Sequence, residues 1–184
     1  MDIAQDAPQT VLLAEDEAWM YLQATTLSVY APRGQTPITR VDPGRAKEGF
    51  YGTLNLRTGD EIVSRTPFFN SDTTAAHLQR LLDTHPDVPI LLFWDRATWH
   101  GGSAVRQVLA ANPRLEIIKF PAGAPDLNPQ EHVWKLARRS VSHNHLVPKL
   151  LKLADQFEAH LQTHIFSSSF LERYGYHEVC PFLN

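Results

Sequence analysis

Three acidic residues of this chain follow or begin regular segments, and together their side chains could do chemistry. Asp16 follows the apolar segment 11–14, Asp95 follows the apolar segment 89–94, and Glu131 lies in the first turn of a predicted helix. Carboxylates that meet without a basic partner raise one another's pKa, unless divalent cations lie between them. Oxygen ligands of this kind suit Mg²⁺ or Mn²⁺. Two such ions, about 4 Å apart, would activate an attacking hydroxyl and stabilise the leaving oxygen in phosphodiester displacement.

Each of the three acids also has an ordinary structural explanation. Asp16 would cap a turn at the end of a strand, and Glu15 or Glu17 could be the relevant acid instead. Asp95 would cap the next helix. Its position after an apolar run instead favours a functional role, because ligands bind at the carboxyl ends of strands in α/β sheets. An acid such as Glu131 in the first turn of a helix is stabilised by the helix dipole. The residue types alone leave both explanations open.

Apolar runs, turn residues and helical spacing predict the elements that would position these acids. The run 89–94 predicts a strand that is buried on both faces. Residues 49–56 and 61–69 flank a Gly-containing turn and predict a β-hairpin. The remaining predicted elements are a helix capped by Asn70 that ends near His85, a helix from about Ser103 to Ala111, a strand at 115–120, a helix starting at Pro129 with Asn128 as N-cap, and a last helix at about 147–165, where Leu146 begins the apolar spacing.

This order of elements predicts an α/β fold, a mixed sheet of about five strands flanked by helices, with ribonuclease H-like topology. If the first and fourth strands are neighbours, Asp16 and Asp95 end side by side, and Glu131 faces them from the helix after the fifth strand. The predicted catalytic domain covers 11–166, between a flexible lead-in at 1–10 and a C-terminal tail at 167–184.

Composition narrows the classes of function. The chain has 184 residues, 43% of them hydrophobic, which indicates one globular domain. Its net charge of -3 means that nucleic-acid binding must come from a local patch or another module. The single cysteine, Cys180, excludes an internal disulfide and fits a reducing compartment. We find no signal peptide and no apolar run long enough to span a membrane, so a cytoplasmic location is expected.

Three motifs resemble the Asp-Asp-Glu signatures of the mariner superfamily of transposases, in particular its bacterial insertion-sequence branch. The third is the most specific, because residues 124–131 with Val133 and Trp134 are close to that family's Ser-Pro-Asp-Leu-Asn-Pro-Ile-Glu-x-x-Trp pattern. The 35 residues between the second and third acids match the family's short second spacing. The resemblance covers roughly residues 11 to 140. The motifs are Glu15-Asp-Glu-Ala-Trp19, Asp95-Arg-Ala-Thr-Trp-His100 and Phe120-Pro-Ala-Gly-Ala-Pro-Asp-Leu-Asn-Pro-Gln-Glu-His-Val-Trp134, and Tyr30-Ala-Pro-Arg-Gly-Gln35 resembles the segment after the first aspartate.

The resemblance implies an activity and a set of ligands. Asp16, Asp95 and Glu131 would bind Mg²⁺ or Mn²⁺, as two ions, with Glu17 and Asn128 supporting them. The implied reaction is cleavage of double-stranded DNA at transposon ends, followed by attack of the freed 3′-hydroxyl on target DNA, in the bacterial cytoplasm on chromosomal DNA. A transposase holds two DNA ends at once, so we expect a dimer on DNA.

The chain departs from the family in two ways. Arg96 stands where the family usually has Asn, which could place a cation beside the metal site. The helix-turn-helix modules that normally precede the catalytic domain are not in this sequence, so we expect a separate or missing DNA-binding module. Two alternatives therefore stay open, a nuclease of the same fold that only hydrolyses DNA, and a catalytically inactive module that binds DNA or protein.

Four further residues are predicted to contact DNA. Arg96 and His100 follow the second acid, although His100 could merely cap. Lys135 and Arg138 share a helical face with Glu131, which permits phosphate contacts, yet a Glu-Lys pair on a solvated face is the commoner explanation. The His143-Asn-His145 tripeptide is a chance match to a nuclease motif. His160 and His164 lie one turn apart but lack a third ligand signal, so a solvated helix face is favoured.

Overall fold

The computed structural model describes residues 9–22, 28–38, 45–123, 125–143, 147 and 149–166. The predicted tail at 167–184, most of the predicted lead-in and Leu146 lie outside these residues. A helix that spans a bilayer needs about 20 apolar residues. Among the described residues, no helix has that length and apolar character.

Within the described ranges, five strands form one mixed sheet in the order β3-β2-β1-β4-β5. β1 pairs antiparallel with β2 and parallel with β4, so the first and fourth strands are neighbours as predicted. β2 and β3 form the predicted hairpin, and β5 pairs parallel with β4. The predicted α/β class and ribonuclease H-like topology are confirmed. The strands are β1 (Val11–Tyr21), β2 (Lys47–Asn55), β3 (Glu61–Thr66), β4 (Ile90–Trp94) and β5 (Leu115–Lys119).

In the part of the chain that the structure describes, four α-helices flank the sheet, and their ends follow local signals in the sequence. Asn70 caps the first helix by accepting from two backbone N–H groups, and Thr73 completes a capping box. The third helix begins at Gln130, one residue after the predicted Pro129, and Asn128 Oδ1 accepts a hydrogen bond from the backbone N–H of Gln130 at 3.1 Å, as expected of the predicted N-cap. The helices are α1 (Ser71–Thr84), α2 (Ser103–Ala111), α3 (Gln130–Val141) and α4 (Leu150–Thr163), and a short 3₁₀ turn, Thr98–Gly101, follows β4.

The sheet separates two hydrophobic clusters, and β1 contributes to both. Leu12 and Ala14 pack with residues of α3 and α4, whereas Leu13 packs with residues of α1 and α2. Successive side chains of a strand point to opposite faces. Asp16 therefore lies on the face of α3, while Glu15 and Glu17 lie on the face of α1.

The prediction that Asp16 ends the first strand is wrong. β1 continues to Tyr21, because its antiparallel ladder with β2 runs on to the pair Tyr21 and Lys47. Its parallel ladder with β4 ends earlier, at the pair Ala14 and Phe93. Asp16 thus lies in the middle of β1, just beyond the point where β4 stops pairing with it. A carboxylate at that point faces the carboxyl end of β4.

A buried histidine joins β2, β3 and α1. His77 Nε2 lies 2.8 Å from Thr53 Oγ1, and His77 Nδ1 lies 2.8 Å from Ser64 Oγ. The ring also stacks on Tyr51, with the two centroids 5.2 Å apart. Burial, with a smaller effect of the Arg80 charge, lowers the pKa of His77 to about 3. The neutral imidazole is therefore the form that the folded chain holds.

We expect this histidine to make the fold acid-sensitive. The folded state disfavours the imidazolium, so the contribution of His77 to stability is present above the unfolded pKa of about 6.5 and is lost as pH falls towards 3. Between pH 6 and pH 5 the free energy of unfolding should fall by about 1 kcal/mol more in the wild type than in His77→Gln. Denaturant unfolding at the two pH values measures this difference, and parallel pH profiles would contradict it.

Candidate active site

Asp16 is held between the sheet and α3. Trp134, which is buried in α3, donates its indole N–H to Asp16 Oδ2 at 3.1 Å. Burial raises the pKa of Asp16 to about 8, and the negative charges of Glu131 and Glu17 add to the effect. At neutral pH this carboxyl group therefore holds a proton unless a cation neutralises it.

Asp95 has a different environment at the end of β4. Its Oδ1 accepts a hydrogen bond from the backbone N–H of Ala97 at 2.7 Å and lies 3.3 Å from His100 Nδ1. The hydrogen bond from His100 is the largest cause that holds the pKa of Asp95 below its usual value, and the Ala97 N–H assists it. Asp95 is therefore ionised at neutral pH. The pKa values of the two aspartates shift in opposite directions, because burial dominates at Asp16 and the hydrogen bond from His100 dominates at Asp95.

Glu131 approaches from the first turn of α3, where its side chain is exposed. The start of this helix is fixed to β1 by Asn128, whose Nδ2 donates to the backbone carbonyl oxygen of Glu15 at 3.2 Å. Gln130, next to Glu131, is fully buried and donates from its side-chain amide to Glu61 Oε1 on β3. These contacts of Asn128 with β1 and of Gln130 with β3 therefore fix the backbone just before Glu131.

The three predicted acids lie around one cavity of about 340 Å³. β1 supplies Asp16, the carboxyl end of β4 supplies Asp95, and α3 supplies Glu131. The remaining wall comes from the loops after β4 and β5 and from the residue two positions before α3: Arg96, Ala97, Phe120, Pro121, Ala122, Gly123 and Asn128. Residues that are far apart in the sequence thus meet at one edge of the sheet.

The chemistry of this cavity fits hard divalent cations. Its acidic groups are three carboxylates, and among the described residues no lysine or arginine forms a salt bridge with them. Burial and the neighbouring charge of Glu131 raise the pKa of Asp16, so a bound cation would favour its ionised form. Carboxylate oxygens of this kind are the ligands that Mg²⁺ and Mn²⁺ prefer. The residues present therefore suit such ions.

The residues predicted to contact DNA have different environments. Arg96 and Lys135 are exposed, and Arg96 Nε donates to the backbone carbonyl oxygen of Phe120 at 3.1 Å. Arg138 points inward instead, because its Nη2 donates to the carbonyl oxygen of Trp19 at 3.4 Å. Burial lowers the pKa of Arg138, although the charges of Glu131 and Asp16 oppose this effect. Arg138 is therefore partly buried and does not lie on a solvated helix face.

His100 is not at the surface, and a phosphate contact would require its ring to leave the interior. Its exposed fraction is 6%, and the ring stacks on Trp94 with centroids 4.1 Å apart. Its Nε2 lies 3.0 Å from Glu17 Oε1, which also accepts the indole N–H of Trp99. Burial alone would lower the pKa of His100, but hydrogen bonds with Asp95 and Glu17 raise it to about 9. The ring therefore connects β1 with the end of β4.

Sequence analysis did not predict the hydrogen bond between Trp134 and Asp16. The three-residue spacing from Glu131 was the available signal, since residues at i and i+3 share one face of a helix. The buried acids Glu15 and Glu61 gave no comparable signal, because charged residues in strands usually face solvent.

The family assignment follows from this site and from comparison with known proteins. Residues 11–154 match the family model described as DDE superfamily endonuclease. The match covers more than half of the chain, so the chain belongs to this family. Comparison with curated protein sequences gives no match.

Solved structures of Mos1 transposase are similar in fold. The chain superposes with a TM-score of 0.68 on the Mos1 paired-end complex with the left transposon end, at 16% identity, covering 94% of this chain and 53% of that one. The Mos1 mariner paired-end complex with Mg gives 0.65 at 16% identity, with coverage of 94% and 53%. The catalytic domain of Mos1 mariner transposase gives 0.59 at 12% identity, with coverage of 94% and 78%. The chain thus spans about half the length of the longer Mos1 chains.

We expect Trp134 to control the metal affinity of the cavity through Asp16. Trp134→Phe keeps an aromatic ring but removes the N–H that holds one oxygen of Asp16. Losing such a supporting hydrogen bond typically costs about 10 to 100-fold in metal affinity. Calorimetric titration with Mn²⁺ should show a loss in this range.

Trp94→Phe is the matched control for this change. Trp94 is equally buried, and its indole nitrogen has no hydrogen-bond partner among the described residues. Trp94→Phe should therefore leave Mn²⁺ affinity within about threefold of the wild type, the variation expected of context effects. Equal losses in both variants would show that ring volume, rather than the hydrogen bond, supports the site.

Proposed function

We propose that this chain is the catalytic domain of a DNA transposase. It cuts double-stranded DNA at transposon ends and joins the freed 3′-hydroxyl to target DNA. The convergence of Asp16, Asp95 and Glu131 on one cavity, in a DDE superfamily endonuclease, carries this proposal. The fold shared with Mos1 transposase, whose structures include a transposon end and Mg, supports it.

In this proposal Asp16, Asp95 and Glu131 hold two divalent ions, Mg²⁺ or Mn²⁺. When bound, such ions activate the attacking hydroxyl and neutralise charge on the leaving oxygen. Trp134 holds one oxygen of Asp16, and the Ala97 N–H and His100 hold one oxygen of Asp95. These contacts pre-orient the carboxylates, so less conformational freedom is lost when ions and DNA bind.

The distribution of charge suggests how DNA is bound. Arg96 lines the cavity and Lys135 is exposed one turn of α3 beyond Glu131, so both can meet phosphates beside the reacting bond. The net charge of -3 gives the chain no general attraction for DNA. We therefore propose that end recognition comes from a separate helix-turn-helix module and that the protein dimerises on DNA, in the bacterial cytoplasm.

A joining assay tests the proposal. The chain is incubated with supercoiled plasmid and a labelled oligonucleotide that carries a free 3′-hydroxyl, with Mn²⁺, with Mg²⁺ and with EDTA. We expect metal-dependent nicking and transfer of the label to the plasmid. Nicking without transfer would favour the purely hydrolytic alternative. If there is no nicking and Mn²⁺ does not bind in calorimetry, the transposase proposal is wrong and the chain is an interaction module.

A further inference from the structure

We propose that Glu15, Glu17 and His100 form a second metal site, for a transition-metal ion such as Zn²⁺, on the face of β1 opposite Asp16. One ligand atom from each residue lies within 4.8 Å of the other two. The site is separate from the cavity of Asp16, Asp95 and Glu131, because alternate residues of β1 face opposite sides of the sheet.

The spacing of the ligand atoms suits a small divalent ion. His100 Nε2 lies 3.0 Å from Glu17 Oε1 and 3.6 Å from Glu15 Oε2. Ligand atoms bound to a tetrahedral Zn²⁺ at about 2.1 Å are about 3.4 Å from one another. An ion would therefore fit among the three groups with movements of less than about 1 Å, which side-chain rotation supplies.

Glu15 supplies the independent observation that points to a ligand. Its exposed fraction is 1%, and neither of its carboxylate oxygens has a hydrogen-bond partner within the described ranges. The nearest cationic group, His100 Nε2, lies 3.6 Å from Glu15 Oε2, which is too far for a hydrogen bond. A buried carboxyl group without a hydrogen bond is costly, and native proteins normally pair such a group or use it to coordinate a metal. Both oxygens of Glu15 are thus available to an ion that also contacts Glu17 and His100.

His100 is already arranged as a metal-binding histidine. Its Nδ1 lies 3.3 Å from Asp95 Oδ1, and Trp94 fixes the plane of the ring by stacking. Metal-bound histidines usually donate one ring N–H to a carboxylate, which leaves the other nitrogen for the ion. Here that other nitrogen, Nε2, faces Glu17 and Glu15. An imidazole combined with carboxylates favours Zn²⁺ over Mg²⁺, which prefers oxygen ligands alone.

A bound ion would take the place of the direct contact between His100 Nε2 and Glu17 Oε1, and it would join β1 to the turn after β4. Because the same imidazole contacts Asp95, the ion would also fix the orientation of that carboxylate. This last consequence rests on the proposed function, whereas the metal site itself does not.

Anomalous scattering from crystals of the full chain tests the site. Crystals of the wild type, Glu15→Gln and Glu131→Gln are soaked separately in Zn²⁺ and in Mn²⁺. We expect a Zn²⁺ peak among Glu15, Glu17 and His100 in the wild type and in Glu131→Gln, and none in Glu15→Gln. In calorimetry, Glu15→Gln should weaken Zn²⁺ binding at this site by at least about 100-fold, since even supporting residues cost about 10 to 100-fold.

Glu17→Gln gives a second, independent measurement and should weaken Zn²⁺ binding similarly. Thermal melting of each variant checks that it remains folded. A wild-type Zn²⁺ peak confined to the cavity of Asp16, or equal Zn²⁺ affinity in the wild type and both glutamine variants, would overturn the proposal. A Zn²⁺ peak at Glu15 without any Mn²⁺ in the cavity would support this site while contradicting the proposed function, so the two can fail separately.

Discussion

Asp95→Asn is expected to reduce the rate of DNA cleavage at least about 1000-fold while the chain stays folded. The substitution keeps the shape of the side chain and the acceptor for the Ala97 N–H, but it removes the negative charge at the end of β4. A catalytic metal ion is worth several kcal/mol of transition-state stabilisation, and about 4 kcal/mol corresponds to about 1000-fold in rate. Initial rates of plasmid nicking in Mn²⁺ measure the loss.

Asp83→Asn provides the matched control for charge. Asp83 lies on the exposed side of α1, where its Oδ1 accepts a hydrogen bond from Gln79 Nε2 at 2.8 Å, and asparagine keeps that acceptor. Its cleavage rate should equal that of the wild type. If Asp95→Asn cleaves DNA as fast as Asp83→Asn does, the three acids are not the catalytic group.

Gly52→Ala is expected to have the largest effect on stability. Gly52 lies on β2 directly opposite Asp16, and a Cβ there would overlap Gln130, Glu61 and Trp134. All three neighbours are buried, so none can move into solvent. Overpacking of this kind costs about 1 to 3 kcal/mol, and contact with three groups places the expected loss near 3 kcal/mol. Denaturant unfolding measures the free energy.

The same change should also reduce activity, because Gln130 and Trp134 belong to the helix that carries Glu131. Gly101→Ala is the control, since a Cβ at Gly101 would meet no atom within 4 Å. It should alter the free energy of unfolding by less than about 0.5 kcal/mol. Equal stability of the two alanine variants would show that α3 packs against β2 less closely than the structure indicates.

Elements with strong local signals could be predicted from the sequence. The run of apolar residues before Asp95 predicted β4, and the structure has this strand at Ile90–Trp94. Asn70 predicted the start of α1, and the predicted limits of α2 match the structure. In each case the residues that determine the element lie within it or next to it. The pairing of the first and fourth strands, which brings Asp16 close to Asp95, also agrees with the prediction, because right-handed crossovers allow few strand orders.

Features that depend on distant partners could not be predicted. The acidic residues of β1 were predicted to end the first strand. The strand continues because it pairs with β2, which lies about 30 residues further along the chain. His100 was predicted either to contact DNA or to cap, and its contact with Glu17 was not predicted because the two residues are far apart in the sequence. Arg138 donates a hydrogen bond to a carbonyl oxygen of β1, and helical periodicity within α3 cannot predict this contact. Local patterns describe a residue's own element, whereas these contacts belong to pairs of elements.

The parallel pairing of β1 with β4 has a consequence for the nascent protein. Val11 pairs with Ile90, so the intervening chain must be made and closed into a loop before Asp16 and Asp95 meet. Glu131 is added later still, with α3. Contacts between such distant segments form slowly, and partly folded chains lack them. A chain still emerging from the ribosome therefore lacks the assembled cavity, and the three acids meet only after residue 131 has been made and α3 has packed against the sheet.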